Sequence, residues 1–136
     1  PFTCYKIRTM YRETRTAATH EIHASSVTPV GRWLRRFKLD ELPQLWNVVR
    51  GDMSLVGPRP CLPSQSELIS KRLERGVFAV RPGISGKAQI LGVDMSDPEE
   101  LSRIDSEYVK ERTFLGDLVI LARTFNNKSQ KDRVSG

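Results

Sequence analysis

Apolar residues that recur at spacings of three and four are the feature that most restricts how this chain folds. They are Leu39, Leu42, Leu45, Trp46 and Val49. Such spacing gives a helix one apolar face, and Gly51 stands where that helix would end. The pattern therefore predicts a helix over residues 39–50, with Asp40 and Glu41 in its first turn.

The two adjacent carboxylates at the start of this helix have two interpretations. In one, Asp40 is an N-cap and Glu41 complements the helix dipole, which together stabilise a helix by about 1–2 kcal/mol. In the other, the carboxylates face a ligand. Pro43 favours the ligand, because an N-cap carboxylate accepts from amides two or three residues on and proline has no N–H to donate. The sequence leaves both interpretations open.

Positive charge is concentrated in the same part of the chain as the two acids. The first 60 residues carry ten lysines and arginines against five acids, so a formal +5 of the net charge of +6 lies there. A cationic field keeps a carboxylate ionised and attracts anions. That setting suits an aspartate that attacks a phosphorus atom, and arginine adds bidentate recognition of phosphate.

Five short motifs lie in order along the chain. They are FTCYKIRTM (residues 2–10), GRWLRR (31–36), LDELPQL (39–45), GPRP (57–60) and RPGISG (81–86). In this order they resemble the successive signatures of the bacterial sugar transferases, the monotopic polyprenyl-phosphate phosphoglycosyl transferases. The resemblance runs from Phe2 to about Thr124.

The resemblance implies a two-step exchange at a membrane. A UDP-sugar gives its sugar-1-phosphate to a polyprenyl (undecaprenyl) phosphate, UMP is released, and synthesis of a surface polysaccharide or glycoconjugate begins. By similarity, Asp40 is the nucleophile that forms a covalent sugar-phosphoryl aspartate, and Glu41 helps to hold a Mg²⁺ ion that bridges the diphosphate. An anionic attacker meets an anionic phosphate, so a metal and arginines are needed to neutralise charge.

Four basic residues match basic positions in the family's motifs, and we expect them to contact substrate phosphates. They are Lys6, Arg8, Arg32 and Arg59. Pro58 and Pro60 stiffen the backbone at Arg59, so less conformational entropy is lost when its side chain binds an anion. Arg81 is a further substrate-binding candidate, although residues 81–83 also fit a simple type II turn.

Several of these positions also have ordinary structural interpretations. Arg32, Arg35 and Arg36 fit a solvated helix face or a contact with lipid headgroups as well as a phosphate site. Gln44 and Tyr108 stand in positions similar to the family's, and simple packing would explain both.

The resemblance and the remaining pattern predict an α+β, mostly helical fold. We expect a single compact catalytic domain over residues 1–125, with amphipathic helices at the membrane interface, and a polar, disordered tail over 126–136. A capping-box pattern at 64–67 predicts a helix that ends near Gly76, although Arg72 interrupts its apolar stripe.

Two further helices are predicted towards the C-terminus. One begins with Asp97 as its cap and Pro98 at its first position, and it presents Leu101, Ile104 and Tyr108 on one face. The other covers residues 114–125, which are apolar enough to be buried or to lie at an interface but too few to cross a bilayer.

No segment reaches the roughly 18–20 apolar residues that span a bilayer, and no signal-peptide pattern is present. Family members carry a hydrophobic helix before the first motif, whereas this chain opens within that motif. We therefore expect this chain to lack the membrane anchor of an enzyme that works at the cytoplasmic face of the bacterial inner membrane.

The sequence also allows two rival functions. A basic chain with RWLRRF at residues 32–37 could bind nucleic acid, but Asp40 and Glu41 would repel a phosphate backbone, so we expect no nucleic-acid partner. A membrane-surface module without catalysis is the third possibility.

His20 and His23 could share a metal only with partners that the sequence does not supply. Cys4 and Cys61 have no metal-like spacing.

Overall fold

The computed structural model describes residues 1–12 and 26–126. Its helices are α1 (Pro29–Arg36), α2 (Gln44–Arg50), α3 (Ser66–Glu74), α4 (Lys87–Ile90), α5 (Pro98–Glu111) and α6 (Phe114–Asn126), with 3-10 turns at Leu39–Glu41 and Val77–Ala79. Two short strands, β1 (Ser54–Val56) and β2 (Gly83–Ser85), form a parallel pair. The predicted α+β, mostly helical fold is confirmed.

The two strands bring together two motifs that lie far apart in the sequence. Ser54 pairs with Gly83, and Val56 pairs with Ser85. Beyond the strands the backbone bonds continue, because the Gly57 amide donates to Ser85 O at 2.9 Å and the Gly83 amide donates to Pro58 O at 2.9 Å. The GPRP segment is thereby fixed against RPGISG.

This contact is a direct approach of backbone to backbone. A Cβ atom on Gly83 would lie 2.1 Å from the Gly57 amide nitrogen, and a Cβ on Gly57 would lie 2.6 Å from Arg81 O. No side chain fits at either position. The φ angle of Gly83 is not positive, so the type II turn considered for residues 81–83 is wrong and Gly83 instead begins β2.

The helix predicted over residues 39–50 is divided in two, so that prediction is wrong in its first half. Residues Leu39–Glu41 form a 3-10 turn that Lys38 precedes with a left-handed φ of 54°, and α2 begins only after Pro43. Proline in a helix interior removes an amide and clashes with the preceding turn, which accounts for the break. Gly51 ends α2 with a φ of 84°, as predicted.

The apolar stripe of α2 faces outward. Leu45, Trp46 and Val49 are exposed, whereas Gln44 and Asn47 are buried. The spacing of the apolar residues thus predicts a helix correctly. However, its apolar face is exposed and its amide side chains are buried, the reverse of what such spacing usually indicates.

The helix predicted from Ser64 begins two residues later, at Ser66. The capping box is absent, because Gln65 is the N-cap without a side-chain cap bond and its Oε1 accepts from the Leu62 amide at 2.9 Å. Arg72, which interrupts the apolar stripe, is only 2% exposed.

Helix α5 matches the prediction most closely. Asp97 caps it by accepting from the Glu100 amide at 3.0 Å, and Pro98 is its first residue. Leu101, Ile104 and Tyr108 are buried. The first two pack with Leu68 and Ala88, while Tyr108 packs with Val56 and Ile120.

Helix α6 is anchored through Ile120, while Phe114, Leu115 and Phe125 are exposed. None of the helices in residues 1–12 and 26–126 is both long and apolar enough to cross a membrane. His20, His23 and nearly all of the tail predicted to be disordered lie outside the described residues.

Substitution of Gly83 tests the backbone contact. We expect Gly83→Ala to lower the free energy of unfolding by about 3 kcal/mol or more, because its Cβ meets backbone that must shift. Gly76→Ala is the matched control, since nothing lies within 4 Å of its Cβ and only its left-handed φ of 68° is strained, at a cost of about 1–2 kcal/mol. Urea unfolding measures both, and equal losses would contradict the prediction.

Candidate active site

The N-terminal segment is held against the 3-10 turn by backbone and amide contacts. The Ile7 amide donates to Asp40 O at 2.9 Å. Asn47, fully buried on α2, accepts from the Tyr5 amide at 3.1 Å and donates through Nδ2 to Thr3 O at 2.7 Å. These bonds lie on both sides of Lys6 and bring its ammonium to the turn.

The two carboxylates lie side by side and are both buried, with Asp40 3% and Glu41 8% exposed. Lys6 Nζ is 3.2 Å from Asp40 Oδ2 and 3.7 Å from Glu41 Oε1. Arg59 Nη2 donates to the same Glu41 oxygen at 2.6 Å. The structure therefore joins the first, third and fourth motifs in one cluster of four charged side chains.

The cluster holds Glu41 as an anion. Burial alone would raise the pKa of Glu41, but the charges of Arg59, Lys6 and Lys38, with the hydrogen bond from Arg59, bring that pKa below the ordinary value of a glutamate. The expectation that a cationic field keeps a carboxylate ionised is confirmed for Glu41.

The capping interpretation of Asp40 is wrong. Neither the 3-10 turn nor α2 has a side-chain cap bond, and the residues at their caps are Lys38 and Pro43. The carboxylate of Asp40 contacts Lys6 instead. A role for Asp40 towards a ligand stays a prediction.

Lys38 and Gln89 belong to the site and were missed by sequence reasoning. In the amide orientation that its neighbours favour, Gln89 donates to Ile84 O at 3.2 Å and accepts from Lys38 Nζ at 2.9 Å and Arg59 Nη1 at 3.3 Å. One neutral oxygen thus accepts hydrogen bonds from two cationic side chains beside Glu41. Gln89 follows the RPGISG motif by three residues, a position that carries no chemical signal of its own.

Three of the five predicted phosphate-binding residues form no ion pair with the carboxylates in the described part of the chain. They are Arg8, Arg32 and Arg81, and all three are exposed. The guanidinium of Arg81 lies beside the turn at Gly51. Their assignment to substrate stays a prediction.

The structure shows the contacts or burial of three other positions with open interpretations. Arg35 turns inward, where its Nε donates to Thr9 Oγ1 at 2.9 Å. Gln44 is buried. Tyr108 donates to Asp117 at 2.9 Å, and burial followed by this bond raises the pKa of its hydroxyl. Gln44 and Tyr108 are thus both buried, as the packing interpretation expects.

The donors present suit Mg²⁺ better than a metal that needs a complete protein cage. Within residues 1–12 and 26–126, no three His, Cys, Asp or Glu side chains are grouped to hold a metal. Mg²⁺ commonly binds through one or two carboxylates, water and substrate phosphates. Asp40 and Glu41 can supply that share, and because Lys6 and Arg59 both contact Glu41 Oε1, Oε2 is the oxygen that would bind it.

Comparison with known proteins gives consistent matches. The family model described as "Bacterial sugar transferase" matches residues 1–131. The chain is 42% identical over 124 residues to the uncharacterized sugar transferase EpsL of Bacillus subtilis (strain 168), an alignment that covers 91% of this chain and 61% of EpsL.

Two relatives have names that state a substrate. The undecaprenyl-phosphate glucose phosphotransferase of Komagataeibacter xylinus is 38% identical over 140 residues, covering 93% of this chain and 26% of that protein. The undecaprenyl-phosphate galactose phosphotransferase of Salmonella typhimurium is 43% identical over 98 residues, covering 72% and 20%. The chain thus spans about three fifths of EpsL and about a quarter or less of these two.

The lowered pKa of Glu41 predicts a pH-dependent contribution to stability. Glu41→Gln should reduce the free energy of unfolding at pH 7 by about 1.5–3 kcal/mol, the range for hydrogen bonds to charged groups. A carboxyl whose pKa is depressed by folding stabilises the protein above its unfolded pKa, and that stability is lost as the pH falls through the folded value. The difference between the two proteins should therefore shrink below pH 4.5, the ordinary glutamate value.

Urea unfolding of both proteins between pH 3 and pH 7 gives the measurement. Glu67→Gln is the control, because Glu67 is exposed and its nearest cation, Lys71, is 4.0 Å away. A wild-type advantage that stays constant across this range would show that Glu41 is not held as an anion.

Proposed function

The chain belongs to the bacterial sugar transferase family, and we propose that it transfers a sugar-1-phosphate from a UDP-sugar to a membrane polyprenyl phosphate. The lipid is undecaprenyl phosphate by analogy with the names of the relatives. The product would begin a surface polysaccharide or glycoconjugate. The observation that carries this proposal is the buried Asp40–Glu41 pair, compensated by Lys6 and Arg59.

In the first step, an oxygen of Asp40 attacks the phosphorus that bears the sugar. A bond forms between this oxygen and phosphorus, the bond from that phosphorus to the bridging oxygen of the diphosphate breaks, and UMP leaves with the electron pair. Asp40 suits the role because it is an ionisable carboxylate inside a cationic cluster, with Lys6 3.2 Å from Oδ2.

In the second step, a phosphate oxygen of the lipid attacks the same phosphorus. The aspartyl–phosphorus bond breaks, Asp40 regains its carboxylate, and the polyprenyl diphosphate sugar is released. Both steps pass through a phosphoryl group flanked by two anionic oxygens, so both need positive charge at one place. Lys6 and Arg59 are already gathered there.

The remaining predicted contacts have a place in this scheme. Arg8, Arg32 and Arg81 are exposed basic residues, and we assign them to the phosphates of the two substrates. A Mg²⁺ ion held by Glu41 would neutralise part of the negative charge of the diphosphate and stabilise the leaving monophosphate. Lys6 and Arg59 hold the Glu41 carboxylate ionised and oriented for that task.

The proposal includes a membrane surface at the cytoplasmic face of the bacterial inner membrane. Trp33 of α1 and Phe37, which caps its C-terminal end, are exposed and pack with ring centroids 5.2 Å apart and planes tilted by 58°. The Arg36 guanidinium lies over Phe37. Trp46 and Val49 of α2 are also exposed. Aromatic and basic side chains together favour an interface between headgroups and acyl chains.

The covalent intermediate is tested by the mass of the intact protein. After incubation with Mg²⁺ and a panel of UDP-sugars, we expect a sugar-phosphate adduct on the wild-type chain and none on Asp40→Asn. The sugar that gives the adduct also identifies the donor. Omission of Mg²⁺ with added chelator should prevent the adduct.

Asp52→Asn is the control for charge, since Asp52 lies at the end of α2, where Arg50 pairs with it at 3.5 Å. It should form the adduct like wild type. An adduct that persists on Asp40→Asn would remove Asp40 as the nucleophile. If the folded wild-type chain gives none with any donor, the proposal of a covalent intermediate fails for this chain.

Membrane contact is tested with vesicles. We expect the chain to float with vesicles that contain phosphatidylglycerol, and Trp46→Ser to weaken that binding about tenfold, because burial of a large apolar side chain contributes roughly 1.5–3 kcal/mol. Leu73→Ser, an exposed apolar residue on α3, should bind as wild type does. Equal effects of both substitutions would argue against α2 as the contact.

A further inference from the structure

Arg72 is the most deeply buried cation of the described residues, at 2% exposure, and all of its nitrogens have acceptors. Its Nε and Nη2 donate to one oxygen of Asp105, at 3.0 and 2.7 Å. Its Nη1 donates to Arg59 O at 2.8 Å. Arg72 comes from α3 and Asp105 from α5, and the residues beside them form the apolar core.

A buried ion pair is a weak way to stabilise a core. Removal of two charges from water costs several kcal/mol per ion, and apolar residues of similar volume often stabilise a core as well or better. The pair therefore calls for a reason other than stability. The third hydrogen bond supplies one, because it leaves the core and ends on the backbone of Arg59.

That bond completes the anchoring of the GPRP segment. Pro58 O accepts from the Gly83 amide at 2.9 Å, and Arg59 O accepts from Arg72 at 2.8 Å. Two successive carbonyls are thus fixed, one by β2 and one by the buried pair. The side chain that leaves this fixed backbone is the guanidinium that binds Glu41.

The requirement at the other end of Arg59 is strict. Its Nη2 lies 2.6 Å from Glu41, and its Nη1 lies 3.3 Å from the Gln89 oxygen. A displacement of about 1 Å in a positioning contact can cost a hundredfold in rate. A fixed backbone origin limits the positions that this long side chain can reach.

We propose that Arg72, oriented by Asp105, is a positioning residue that sets the place of Arg59 in the phosphate site. The role rests on the proposed function, since Arg59 is the group that would contact phosphate. Lysine could keep the ion pair, but it has no rigid fork with which to bind Asp105 and the Arg59 carbonyl together.

The test replaces the buried pair with apolar residues of similar size. In Arg72→Met/Asp105→Leu, we expect a melting temperature within a few degrees of wild type or above it. We also expect at least a tenfold loss of kcat/KM for the UDP-sugar, mainly through a higher KM. Arg103→Ala, which breaks an exposed ion pair on α5, is the control and should leave turnover unchanged.

A double-mutant cycle separates positioning from general damage. The affinity for UDP with Mg²⁺ is measured by calorimetry, in the wild-type background and in Arg59→Ala. The paired substitution should weaken UDP binding about tenfold in the first background and less than twofold in the second, because Arg72 acts through Arg59. Equal weakening in both backgrounds, or no weakening in either, would overturn the inference.

Two measurements keep the test decisive if a variant or the proposed function fails. Should the double variant not fold, Arg72→Lys is measured in its place, with the same expected losses. Should wild type neither bind UDP nor form the adduct, the proposed function fails while positioning is still read from the NMR signal of Arg59 Nε, assigned by its absence in Arg59→Ala. An unchanged Arg59 signal in the substituted protein would overturn the inference.

Discussion

Two neighbouring carboxylates can be buried as anions only if cations are brought to them from elsewhere in the chain. Asp40 and Glu41 are adjacent in the sequence, and Lys6 contacts both carboxylates. The compensating charges come from Lys6, 34 positions before Asp40, and Arg59, 18 positions after Glu41. Much of the fold around the site positions those two side chains beside the carboxylates.

Both segments are held by hydrogen bonds to their backbone rather than by apolar packing. The segment that carries Lys6 is tied by Asn47 and by the carbonyl of Asp40. The segment that carries Arg59 is tied to β2 through glycine contacts that exclude any Cβ. Backbone hydrogen bonds have fixed directions, so the cations are placed by geometry that does not depend on which apolar residues fill the core.

Local rules succeeded where a residue acts on its own neighbours. Asp97 and Pro98 begin α5, and Gly51 ends α2, because caps and left-handed residues are decided within a few positions. The motifs also identified the four central charges. Periodicity could not show which way α2 faces, because that depends on tertiary contacts. It also did not show that Pro43 splits the helix, although proline's local geometry accounts for the split. The roles of Asn47 and Gln89 are likewise invisible in sequence, since a neutral amide has no signature until its partners are known.

Helix α2 has its amide side chains inside and its tryptophan outside. The usual remedy for a protein that aggregates is to replace exposed apolar residues with charged ones. On α2, such substitutions would change the exposed apolar face of the helix and leave its buried amide side chains as they are. Substitutions intended to reduce aggregation are therefore better made on α3 or α5, whose outer faces are already charged, and α2 is better left unchanged.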